Sequence, residues 1–222
     1  MNSRTVHLKF LWGLFFVVTL TCAPSVVFSE SRNRAEAVTG LKHSDAAARA
    51  EAVAWLAAHG RMTDQPLLLQ RLRDADGRVR AVAEQALWLL WSRSGDAATD
   101  QLLAAGIEQM QAGRLEEAIA TFGAVIRRKP AFAEGWNKRA TAYYLAGDYD
   151  RSLRDCAEVL KRNPSHFGAL SGYGQIYVRL EEYDKAIAWW RRALQVNPNM
   201  EGVEENIENV QQLLNEKKAR SI

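Results

Sequence analysis

Four histidines, His7, His43, His59 and His166, and two cysteines, Cys22 and Cys156, are the side chains from which a metal centre or an activated nucleophile would be built. They are dispersed, with neither metal-ligand spacing nor a Cys-His pair among them. Acids come in doublets, Glu116-Glu117, Glu181-Glu182 and Glu204-Glu205, which in an active site would divide acid and base duties. Here each doublet falls near a predicted helix start, and the basic groups Arg127-Arg128-Lys129 and Lys161-Arg162 fall at predicted helix ends, where both complement the helix dipole. Gly168, Gly172 and Gly174 resemble a phosphate loop in spacing, but no preceding strand, Lys-Ser/Thr ending or ribose-binding acid accompanies them. The expectation is a protein with no catalytic residue, metal or cofactor, its histidines solvated or capping helices.

The elements that carry these residues repeat. Pro130, Pro164 and Pro198 lie 34 residues apart. In register with them run Leu102, Trp136 and Leu170, then Gly106, Ala140 and Gly174, then Gln109, Tyr143 and Tyr177. A second helix in each unit aligns Ala118, Ser152 and Ala186, then Phe122, Cys156 and Trp190, then Val125, Val159 and Ala193. Small residues let paired helices approach closely, and the larger ones fill the space between units. This pattern resembles the tetratricopeptide repeat over Thr99 to Pro198, with units at 99–132, 133–166 and 167–198. Gly113 and Gly147 stand where a helix end wants positive φ; Glu181 takes that place in the third unit. Val203, Ile207, Val210 and Leu214 then recur at helical spacing, as in a terminal capping helix over 199–222.

Upstream, Leu41, Asp45, Arg49, Ala52 and Leu56 align with Leu72, Asp76, Arg80, Ala83 and Leu87 at an offset of 31. These two copies, within 30–96, resemble HEAT-like repeats of helical solenoids. Ser92 to Asp96 joins the two arrays, a normal connection length within a packed array. The predicted fold is all-α: a continuous right-handed α-solenoid of helix-turn-helix repeats, HEAT-like and then tetratricopeptide-like.

The N-terminus has the features of an export signal. Arg4 and Lys9 precede the apolar run Phe10 to Leu20, and Val27-Phe28-Ser29 suits cleavage before Glu30. The uncharged stretch from 10 to 28 is equally long enough to be retained as a membrane anchor. Cleavage takes Arg4 and Lys9 from the 29 bases, leaving 27 against 26 acids. Near neutrality disfavours nucleic acid as a partner. Only Cys156 survives cleavage, so no intramolecular disulfide forms. Its core position predicts a buried, inert thiol. With no proper glycosylation acceptor in the sequence, a bacterial periplasm is the expected location.

In tetratricopeptide proteins the first helix of each pair lines a concave groove. The resemblance places Leu103 and Ile107 there, then Asn137, Thr141 and Tyr144, then Ser171, Gln175 and Arg179. Asn and Gln pair with the backbone of an extended peptide, and Tyr144 would offer an aromatic shelf. Gly168 and Gly172, four residues apart, would bare the helix to a partner's backbone, and Arg139 stands where the repeat wants an apolar residue. Arg139 would either read an acidic partner group or pack its stem on Tyr143 or Trp136. One subclass clamps a C-terminal carboxylate with Lys and Asn on the first repeat, Asn on the second and Lys and Arg on the third; here Leu103 and Ile107 occupy the first repeat's clamp positions, and Gly168 and Gly172 replace the third repeat's bases. The resemblance implies a non-enzymatic scaffold for a protein or extended peptide in envelope assembly or maturation; the alternative is an adaptor subunit of an envelope enzyme.

Overall fold

The computed structural model describes residues 33–220, which hold eleven α-helices and one 3₁₀ turn and no strand. The export segment expected over residues 1–29 lies outside the described residues, and no helix among those described is long and apolar enough to cross a membrane. Contacts divide the chain into two compact units between Leu90 and Trp91.

The N-terminal unit holds α1 (Arg34–Gly40), α2 (Ala46–His59), the 3₁₀ turn Met62–Asp64, α3 (Gln65–Arg71) and α4 (Gly77–Trp91) up to Leu90. Asn33 and Glu36 form a capping box on α1, and Pro66 opens α3 where no backbone donor is needed. The offset of 31 recurs in the contacts. Asp45 accepts from the amide of Ala48 and Asp76 from that of Val79. Arg49 donates to the carbonyls of His43 and Ser44, Arg80 to those of Asp74 and Ala75. Leu41, Ala52 and Leu56 are buried, as are Leu72, Ala83 and Leu87. Arg49 further grips Asp74 through two nitrogens at 2.9 and 2.7 Å.

The C-terminal unit contains three helix pairs, α5 (Ala97–Gln111) with α6 (Leu115–Arg128), α7 (Ala133–Leu145) with α8 (Tyr149–Arg162), and α9 (Phe167–Arg179) with α10 (Tyr183–Val196). The aligned second-helix residues Phe122, Cys156 and Trp190 are all buried. Burial pushes the Cys156 thiol above its ordinary range, as expected of an inert core cysteine. Gly113 and Gly147 adopt φ of 74° and 80° at the turns within pairs; Glu181 holds φ 58° without glycine's freedom. The acids and bases sit largely where the dipole favours them, Glu116, Glu117 and Glu204 in first turns and Arg127, Arg128, Lys161 and Arg162 in last turns. Glu182 is the residue capping the start of α10. Helix α11 (Glu201–Arg220) buries Val203 and Val210 against Ala186, Ile187 and Trp190, covering the apolar face that the last pair would otherwise leave open.

Candidate peptide-binding face

Residues i, i+4 and i+7 of a helix share one face. On α7 that face carries Asn137, Thr141 and Tyr144, and on α9 Gly168, Ser171, Gly172, Gln175 and Arg179. The α7 polar groups are engaged within the chain. Asn137 donates its amide to both Glu134 carboxylate oxygens at 3.2 Å, and the Thr141 hydroxyl donates to the Asn137 carbonyl. On α9 the situation is reversed: Ser171 is 1% exposed and Gln175 6%, yet the Ser171 hydroxyl and both ends of the Gln175 amide have no hydrogen-bond partner among the described residues. The backbone carbonyl of Ser171 accepts the Trp190 indole N–H at 3.1 Å. Buried polar atoms of this kind are rare, and each lost hydrogen bond costs about 1–3 kcal/mol.

Several expected members of the face stand elsewhere. Arg139 is two residues from Asn137, about 200° around the helix, and faces α8. Its guanidinium makes a two-pronged pair with the buried Asp155 at 2.7 and 2.9 Å and lies over the Trp136 and Tyr143 rings. The packing on those rings was the alternative expected for its stem, but the head is ion-paired to Asp155 and does not reach into a groove. Replacing it, Arg139→Ala, leaves Asp155 buried without its cation; a loss of about 2 kcal/mol in urea denaturation is expected, with partner capture unchanged.

Tyr144 is no open shelf: it is 7% exposed, packs among Ala140, Cys156, Tyr173 and Ile176, and burial pushes its hydroxyl pKa up to about 12. Leu103 and Ile107, expected to form an apolar end of the groove, pack into the first pair's core with Phe122 and Val125. Gly172 is buried while Gly168 is half-buried, so the bare patch is smaller than the sequence suggests. Arg179 is exposed and donates to the Tyr149 hydroxyl at 3.0 Å, closing one end of the face together with the neighbouring Tyr144 and Tyr149 rings.

The other end holds a cluster that sequence reasoning missed. Glu134, one residue into α7, is fully buried and meets His166 Nε2 at 3.0 Å and Lys138 Nζ at 3.1 Å. Burial alone would raise its pKa, but the Lys138 charge and the His166 hydrogen bond outweigh that and hold it at about 2. His166 Nδ1 accepts the Ala169 amide and so caps α9, which leaves the proton on Nε2, donated to Glu134. The capping role was legible. The link to Glu134, 32 residues away, was not, because it depends on how two first helices dock. Trp91, 3% exposed, lies flat on the imidazole at 4.4 Å and 25°, with Phe167 4.9 Å away.

Comparison with known proteins agrees with this geometry. Residues 103–158 and 137–201 match the family model for the tetratricopeptide repeat. A TPR repeat-containing protein of Rhizobium etli is 33% identical over 130 residues, covering 59% of this chain and 63% of that protein. DnaJ homolog subfamily C member 3 of Homo sapiens is 27% identical over 125 residues, 54% of this chain and 25% of its own length. The chain thus spans less than two thirds of either relative. Among solved structures, the Sgt2 TPR domain from Aspergillus fumigatus superposes with TM-score 0.53 at 18% identity, covering 56% of this chain and 83% of that one. The first TPR of Spaghetti, bound to an HSP90 peptide, gives 0.50 at 22%, covering 52% and 92%. The paired helices between Leu103 and Glu201 are thus similar to tetratricopeptide repeats, and this stretch is an all-helical array of the α-solenoid kind.

Proposed function

We propose that this protein is a non-enzymatic scaffold that captures an extended segment of a partner protein on the α7/α9 face. The unpartnered Ser171 hydroxyl and Gln175 amide carry this reading. An amide side chain offers a donor and an acceptor side by side, the complement of a peptide group, so one backbone unit of a strand-like partner satisfies both ends of Gln175. Fold neighbours support the class of partner, since one was solved with an HSP90 peptide. The chemistry differs, because Leu103, Ile107, Gly168 and Gly172 stand at the clamp positions and give no cations for a terminal carboxylate. Recognition is therefore of neutral backbone and changes little with salt.

Export to a bacterial periplasm, or anchorage through residues 10–28, belongs to the same proposal, resting on Arg4, Lys9 and the apolar run that follows. So does the HEAT-like character of the N-terminal repeats, supported by the matched contacts of Arg49 and Arg80. The task is then envelope assembly or maturation. The test is crosslinking capture from the envelope fraction of the native host with the full chain and with Ser171→Ala/Gln175→Leu. A stoichiometric partner that the double variant captures at least about tenfold less, through loss of the three hydrogen bonds that Ser171 and Gln175 would make, is the expected result. Equal capture by a folded double variant overturns it, and turnover of a substrate by the isolated protein defeats the scaffold reading.

A further inference from the structure

The cluster at the head of this face is unusual for a helical core. A carboxylate, an ammonium, an imidazole and a carboxamide are gathered at Glu134, Lys138, His166 and Asn137, and the first and third are fully buried. Charge of this kind is normally left wet because desolvation is costly. Both ring nitrogens of His166 are spent in the plane of the ring, on the Ala169 amide and on Glu134. Two hydrogen bonds therefore fix the ring's orientation, and the surface left for a further contact is its flat face. A flat face is matched by another flat ring, and Trp91 supplies one, with the Phe167 ring forming a side wall. Trp91 is the last residue of α4 and the first of the C-terminal unit, followed by the short link 92–96.

We infer that His166 and Phe167 form a receptor for an aromatic side chain, occupied in this state by the protein's own Trp91, which a tryptophan of the captured partner segment displaces. Displacement rests on the capture reading above; occupancy by Trp91 does not. An internal occupant lowers the apparent affinity for any outside ring by the fraction of time the seat is filled. The seat thereby sets a threshold: weak aromatic ligands are refused, and a segment that also satisfies Ser171 and Gln175 gains enough to enter.

The probe is indole, titrated into the full-length wild type and into Trp91→Ala, and read by the His166 Cε1–H NMR resonance, assigned by its loss in His166→Gln. In the wild type the ring current of Trp91 displaces this resonance. The displacement vanishes in Trp91→Ala and returns as indole fills the vacated space, with wild-type affinity at least about tenfold weaker. If Trp91→Ala loses helical circular dichroism, Trp91→Leu keeps an apolar cover without a ring and serves for the same titration. A folded variant whose His166 resonance does not respond to indole overturns the receptor, and equal affinities in variant and wild type overturn the occupancy. Loss of partner capture with indole binding intact sinks the capture reading alone, and the reverse sinks the seat alone.

Discussion

Gly174→Ala destabilises the protein by about 3 kcal/mol, at the upper end of overpacking costs, whereas Gly123→Ala stabilises it by up to about 1 kcal/mol. Both glycines lie inside helices, α9 and α6, where alanine is intrinsically preferred. What differs is the space. A methyl on Gly174 would sit 2.3 Å from the Trp190 indole nitrogen and 2.4 Å from its Cδ1, so the ring must leave a fully buried slot and give up its hydrogen bond to the Ser171 carbonyl. On Gly123 the nearest atoms are the ends of two flexible arginines, Arg127 at 3.4 Å and Arg139 at 3.8 Å. Thermal and urea denaturation of the two variants checks the opposite signs. A stabilised Gly174→Ala would mean that α9 and α10 are not held this close.

Glu134→Gln loses a similar amount, and its loss depends on pH. The carboxyl titrates at about 2 in the folded protein against an ordinary value of 4.5. A folded-state value below the unfolded one means that the unfolded chain takes up the proton first as pH falls. The contribution is therefore complete above about pH 4.5 and drains away towards pH 2. For a fully buried group, a depression of this size corresponds to on the order of 3 kcal/mol. Glutamine keeps the shape and one acceptor but no charge for Lys138, so the variant starts lower at neutral pH and stays flatter across the acid window. Urea denaturation of both proteins from neutral pH down to about pH 2 is expected to show the gap closing; a constant gap would remove Glu134 as its source.

The repeat was legible because packing demands it at fixed intervals: Gly106, Ala140 and Gly174 are small for one reason, and Phe122, Cys156 and Trp190 large enough for another. Turns were legible through Gly113 and Gly147. The face itself was legible only in part. Ser171 and Gln175 follow from helical spacing, and their lack of partners needs coordinates. Arg139 misled because its residue type is rare at that position, although its angle around α7 already turned it away from Asn137; only the structure supplies Asp155 as its partner. Tyr144 misled in the opposite sense, since position alone does not say whether a ring is covered. The Glu134–His166 link left no local trace, because each residue taken alone reads as an ordinary helix-start residue.

That link also bears on how such a chain is able to change over generations. Stacked repeats lengthen and shorten by duplication or loss of whole units, each unit touching only its neighbours. Glu134 opens the second unit, 133–166, and His166 closes it, so a duplicate of that whole unit carries the wholly buried pair with it. A crossover inside the unit would separate the two residues, whereas one at its boundary keeps them together. The pair travels with its unit as a block.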